Sequence, residues 1–215
     1  MRCGSSIHVP DLGGSGARDG QTCYVSCTAG EPVARRRKPR LFSFAREVEL
    51  SHYDDVVSDP GERAALEAVV DAFAAICQAH AVAPETLMPI ARACRHPSMF
   101  VRGAGITRLT VLCHYFTEAH DVMEQLCRDG DVEVRMFATA ALANTPESLA
   151  VPLLERCSSD DSWRVRKAAA QTGQATSWPT LLPVLTRAHG READARVKVV
   201  LQLAIDHQRR TGGQG

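Results

Sequence analysis

Long apolar runs are missing from this chain. No stretch approaches the roughly 20 apolar residues of a membrane-spanning helix. Aromatic residues are scarce, at 5% of 215. The apolar load falls on alanine and leucine, which favours helix over strand. Excess charge is missing too, with 25 Lys/Arg against 25 Asp/Glu. That balance argues against a dedicated nucleic-acid binder, whose affinity comes mainly from phosphate contacts. The first ten residues, Met1 to Pro10, hold one cation and no apolar core, so a secretory signal is not expected. No glycine-rich phosphate loop and no G-x-S-x-G nucleophile motif occurs.

Cysteine is not scarce: there are eight. Cys77, Cys94, Cys113, Cys127 and Cys157 fall inside helical patterns beside apolar residues, where a thiol behaves as a small hydrophobe. Without a signal peptide, these are expected as reduced thiols in a cytoplasmic protein. Cys3, His8, Cys23 and Cys27 cluster near the N-terminus. C-x3-C with a distant third cysteine fits neither a zinc nor an iron–sulfur ligand set. No metal and no cofactor is expected. His80, His96, His114 and His120 form no H-x3-H or H-E-x-x-H pattern. Cys113 and His114 are adjacent on a helix, so their side chains diverge and they make no nucleophile pair. No catalytic set is expected. The adjacent acids Asp54-Asp55 and Asp160-Asp161 read as turn caps.

Residues 1–45 read as a disordered tail rich in Gly, Ser and Arg, without apolar periodicity. They carry seven Lys/Arg against three Asp/Glu, which leaves 18 against 22 for the remainder. The run Arg35-Arg36-Arg37-Lys38-Pro39-Arg40 reads first as a solvated linker, and second as a patch for localisation or an anionic partner. A helical domain is expected over 46–211. Asp59-Pro60-Gly61-Glu62 combines an N-cap acid with proline at the first helical position. Leu66, Val69, Val70, Phe73, Ile76 and Cys77 then recur at helical steps, predicting a capping helix over about 60–80.

Beyond this helix the chain repeats itself. A valine followed by a cation occurs at Val101-Arg102, Val134-Arg135, Val165-Arg166 and Val197-Lys198, with the valines 33, 31 and 32 residues apart. Leucine-type stripes precede each motif, and Met123, Leu154 and Leu185 are 31 apart. A period in this range marks stacked helical hairpins, each burying its apolar face against its neighbours. Hairpins are predicted over about 85–115, 118–144, 146–175 and 177–209, with polar turns inside them.

The pattern Asp-x-x-Val-Arg-x-x-Ala, carried by Asp131, Val134, Arg135 and Ala138, resembles the HEAT-repeat superfamily. Asp161, Val165, Arg166 and Ala169 repeat it with one residue inserted. The closest subtype is the short HEAT-like repeat of phycobilin lyases. The first and last repeats match more weakly, with Ser98 in place of Asp and with Asp194 and Lys198. The resemblance spans about 85–209 and implies an all-α solenoid of HEAT-like hairpins. It is specific for fold and nearly silent on chemistry.

Arg102, Arg135, Arg166 and Lys198 read as a structural ladder, with Asp131, Asp161 and Asp194 in the turns to cap the second helices and pair with cations. The residues expected to meet a partner are Trp163, Arg164, Lys167 and Gln171. Trp and Arg anchor interfaces, and on a helix starting near Ser162 the residues Arg164, Lys167 and Gln171 lie towards the exposed side. The expected function is a non-catalytic scaffold that binds another protein through its second-helix face and inter-helix turns. The expected state is a monomer or weak homodimer, with neither nucleic acid nor membrane as partner. Two alternatives come from the resemblance alone: a phycobilin-lyase-like chromophore lyase or isomerase, and a HEAT-like alkylpurine DNA glycosylase using Trp163, Arg164 and Arg166.

Overall fold

The computed structural model describes residues 46–212. The tail expected over 1–45, with Cys3, His8, Cys23, Cys27 and the Arg35–Arg40 run, lies outside the described residues. The described chain is all-helical, an α-solenoid of stacked hairpins. A short α1 (Arg46–Ser51) and a long α2 (Pro60–Ala79) precede four hairpins. These are α3 (Pro84–Ala93) with α4 (Met99–Cys113), α5 (Glu118–Leu126) with α6 (Val132–Ala141), α7 (Glu147–Cys157) with α8 (Trp163–Ala175), and α9 (Leu182–Arg191) with α10 (Ala195–Gly212).

Local chemistry sets the starts of these helices. Asp59 caps α2, its Oδ1 accepting the Glu62 N–H at 2.8 Å, with Pro60 at the first helical position. The chain leaves α2 through His80 in the left-handed region, at φ 50°. Pro84 opens α3, Pro146 is the N-cap of α7, and Pro179 opens a 3-10 turn (Pro179–Leu181) before α9. Pro89 and Pro152 lie inside α3 and α7, where each removes a helical N–H. The short α1, which no periodicity announces, is held to the body by ion pairs from Arg46 to Asp71 and from Glu49 to Arg108.

The second helices pack in series, α4 on α6, α6 on α8 and α8 on α10. The motif valines Val101, Val134, Val165 and Val197 are all buried, and small residues beside them let the helices close up. Gly105 has no space at all: a methyl group there would stand 2.9 Å from both Ala93 Cβ and Cys94 N at the end of α3. Met123, Leu126, Leu154 and Leu185 of the first helices, with Leu181 of the turn before α9, complete one continuous core. Cys77, Cys94, Cys113, Cys127 and Cys157 are free and buried in it. Burial pushes the Cys94 and Cys113 thiols up to about 12, so they sit in the core as neutral groups.

Polar seams join the carboxyl ends of the second helices. Thr172 Oγ1 donates to Thr139 O at 3.1 Å, and Gln208 Nε2 donates to Gly173 O at 2.7 Å and Thr176 O at 2.6 Å. Val165 is fully buried in the centre of this stack. Val165→Asp places an uncompensated carboxylate between hairpins and should cost about 3–5 kcal/mol. Chemical denaturation of purified protein checks this, and an unchanged midpoint would contradict the register described.

Candidate functional site

Each hairpin turn is built on an acceptor two residues before the N-cap of the second helix. His96 Nδ1 accepts the Ser98 N–H at 3.1 Å, and Asp129 Oδ1 accepts the Asp131 N–H at 3.1 Å. Asp160 Oδ1 takes the Ser162 N–H and Glu192 Oε1 the Asp194 N–H, both at 2.8 Å. The N-cap then serves its own helix. Asp131 accepts from Glu133 N, Ser162 from Arg164 N and Asp194 from Arg196 N.

Arginines of the preceding repeat grip these same acceptors. Arg135 Nε and Nη2 bond Asp160 at 2.8 and 3.0 Å, while its Nη1 donates to the carbonyls of Asp129 and Gly130. Arg166 does the same to Glu192 at 2.7 and 3.0 Å, its Nη1 reaching the carbonyls of Asp160 and Asp161. These forked pairs are the strong form of charged hydrogen bond. The Arg166 guanidinium holds the Glu192 carboxyl below its ordinary 4.5 against the opposing effect of burial. The motif cations at the two ends of the array differ. Among the described residues, Arg102 meets no carboxylate. It donates to Pro97 O at 3.0 Å and stacks on Phe137, 4.6 Å from the ring centroid, leaving its buried Nε without an acceptor. Arg95 takes the equivalent acid, Asp129, at 2.7 Å instead. Lys198 is exposed, and no turn follows α10 among the described residues.

The acids of the ladder therefore sit elsewhere than the motif implies. Asp131 and Asp194 are N-caps, and Asp194 is drawn down to about 2 mainly by its bond from Arg196. The side chain of Asp161 is exposed, and Ser162 holds the capping position. Asp129, Asp160 and Glu192 carry the inter-repeat bonds. Their recurring place two residues ahead of the cap was the available signal, in Asp129-Gly130-Asp131, Asp160-Asp161-Ser162 and Glu192-Ala193-Asp194.

Trp163, Arg164, Lys167 and Gln171 come together on one side of α8. With Ala168 they form one wall of a groove of about 270 Å³, and Met136, Phe137 and Ala140 of α6 form the other. Arg196 of α10 lies over the Trp163 ring, 3.8 Å from its centroid. Arg164 forms an ion pair with Glu133. Among the described residues, no three His, Cys, Asp or Glu side chains gather as a metal site, and no helix is long and apolar enough to cross a membrane.

Linkage through Glu192 has a definite sign. Its pKa is depressed in the folded state, so its stabilisation is complete above the ordinary 4.5 and is lost as pH falls through the lowered value. Thermal stability should therefore hold from about pH 7 to pH 5 and decline in stronger acid. The decline should be shallower in Glu192→Gln, measured by circular dichroism melts across pH. An identical acid slope in the variant would remove Glu192 from the linkage.

No curated protein matches the chain at significant similarity. One solved structure, described as the crystal structure of an engineered protein, is 18% identical with a TM-score of 0.41. That match covers 77% of this chain and 80% of the other. Residues 116–205, spanning α5 through most of α10, match the family model of HEAT repeats.

Proposed function

We propose that the chain is a non-catalytic scaffold that binds another protein through the exposed face of its second helices and the adjoining turns. Repeat arrays of this kind build extended surfaces rather than enclosed reaction sites. The observation that carries the reading is the groove between α6 and α8. It gathers Trp163, Arg164, Lys167 and Gln171 beside Met136 and Phe137. Tryptophan and arginine are enriched among interface hot spots, and a largely apolar groove lined with a few polar side chains suits such a spot. The motif arginines contribute structure here, since Arg135 and Arg166 are engaged by carboxylates of the next turn. The proposed setting is cytoplasmic, as a monomer or weak homodimer, and the five buried free thiols suit reducing conditions.

Affinity capture on full-length protein, read by mass spectrometry, tests this. Trp163→Ala should lose the captured partner, since truncating such an anchor costs about 2 kcal/mol or more, roughly thirtyfold in affinity. Lys198→Ala, exposed and away from the groove, should retain it. Capture indifferent to Trp163→Ala would refute the assignment of the face. Bilin transfer or base excision by the purified protein, without any captured protein, would replace the scaffold reading with an enzymatic one.

A further inference from the structure

The groove has a chemical bias that narrows its occupant, taking the protein-binding reading as the premise. Its lining is largely apolar, with Met136, Phe137 and Ala140 on one wall and Ala168 on the other. Its volume of about 270 Å³ is below the ~300–1,000 Å³ of typical small-molecule sites, and suits one or two side chains of a polypeptide. Its two rings are fixed in advance. Arg102 lies on Phe137 and Arg196 on Trp163, so little ordering remains when a partner arrives.

The charges around it are unbalanced. Arg164 is neutralised by Glu133, and Arg196 by Asp194. Lys167, half-buried in the wall, has no carboxylate within ion-pair distance among the described residues, and neither has Arg102. One uncompensated cation, Lys167, thus stands in the wall of a largely apolar slot, on a body whose residues 46–215 carry 18 Lys/Arg against 22 Asp/Glu.

We propose that this groove receives an acidic amphipathic segment of another protein. An apolar side chain enters between Phe137 and Trp163, and a carboxylate one helical turn away pairs with Lys167. A positive groove on a negative body steers an acidic segment to that spot. The chain's own residues 1–45, with seven Lys/Arg against three Asp/Glu, carry the wrong sign to fill it. A second copy docked groove to groove would bring two like-charged grooves together, because a two-fold interface uses the same patch on both subunits. Nucleic acid fits less well. Tight phosphate binding draws on about 6–10 cation contacts, and this groove offers one free cation, Lys167.

Selection of a random peptide display library on the full-length protein tests the proposal, with peptides of about 15 residues, roughly four helical turns. Enriched peptides should be net negative, with a large apolar residue three or four positions from Asp or Glu. The best of them should bind about tenfold more tightly than its version with glutamine for glutamate. Lys167→Glu, checked for an unchanged thermal melt, should shift enrichment towards basic peptides. Enrichment without acidic bias, the same bias in Lys167→Glu, or no enrichment at all would overturn the proposal. So would displacement of the selected peptide by an oligothymidine strand at lower concentration than by free peptide. Any of these alongside Trp163-dependent partner capture would leave the scaffold reading standing and remove only the acidic partner. Loss of both would remove both.

Discussion

Arg135 and Arg166 each leave their own helix to hold a carboxylate in the next hairpin turn, and the order of the array depends on that grip. The carboxylate does two things at once. Asp160 and Glu192 each accept the N–H of a helix-capping residue and the fork of an arginine from the repeat before. A partly buried ion pair gains little over an apolar contact when desolvation is counted. Here each charge has further hydrogen-bond partners, which offsets that cost. The arginine also takes the carbonyls of its own turn, so one side chain locks two turns in register. Hydrophobic stacking supplies most of the stability, and this bond sets which turn stands beside which.

The use of the motif cations in the frame determines what remains for binding. Along each second helix, one stripe faces the core and the residue after the valine points to the next turn. Phe137 and Trp163 lie beside this ladder, each covered by an arginine from a neighbouring helix. The groove between α6 and α8 is thus built by the solenoid, with walls held from both sides. Arg102 shows how the two roles trade. Arg95 occupies the acid that Arg102 would otherwise grip, and Arg102 turns to the Phe137 ring. The first seam of the array is therefore made by a different arginine, and the ring that forms a groove wall is braced.

Much of the fold was legible because burial leaves a period. Val101, Val134, Val165 and Val197 face the stack in every repeat, and a spacing near 32 residues has few architectural meanings. The helix starts at Asp59, Asp131 and Asp194 were legible because capping is local, reaching only two or three residues. The ladder acids were harder to find. Arg135 and Asp160 are 25 residues apart, and their pairing depends on how two hairpins stack, which neither segment encodes alone. The motif acids Asp131 and Asp161 lie within two residues of Asp129 and Asp160, yet Asp129, Asp160 and Glu192 carry the inter-repeat bonds. α1 escaped notice because six residues are too short to show a period. Trp163, Arg164, Lys167 and Gln171 could be grouped by helical spacing, but the opposite wall from α6 is a tertiary fact.

The most direct test of the inter-repeat bond is a double-mutant cycle on Arg166 and Glu192, with equilibrium denaturation of wild type, Arg166→Ala, Glu192→Ala and the double variant. The expected coupling energy is about 1–3 kcal/mol, the range for contacting residues in one network. The matching cycle on Lys198 and Asp194 should give no more than about 0.5 kcal/mol, the scale of an exposed charge pair four residues apart on a helix. Additive costs at Arg166 and Glu192 would contradict a role for this bond in setting the register of the repeats.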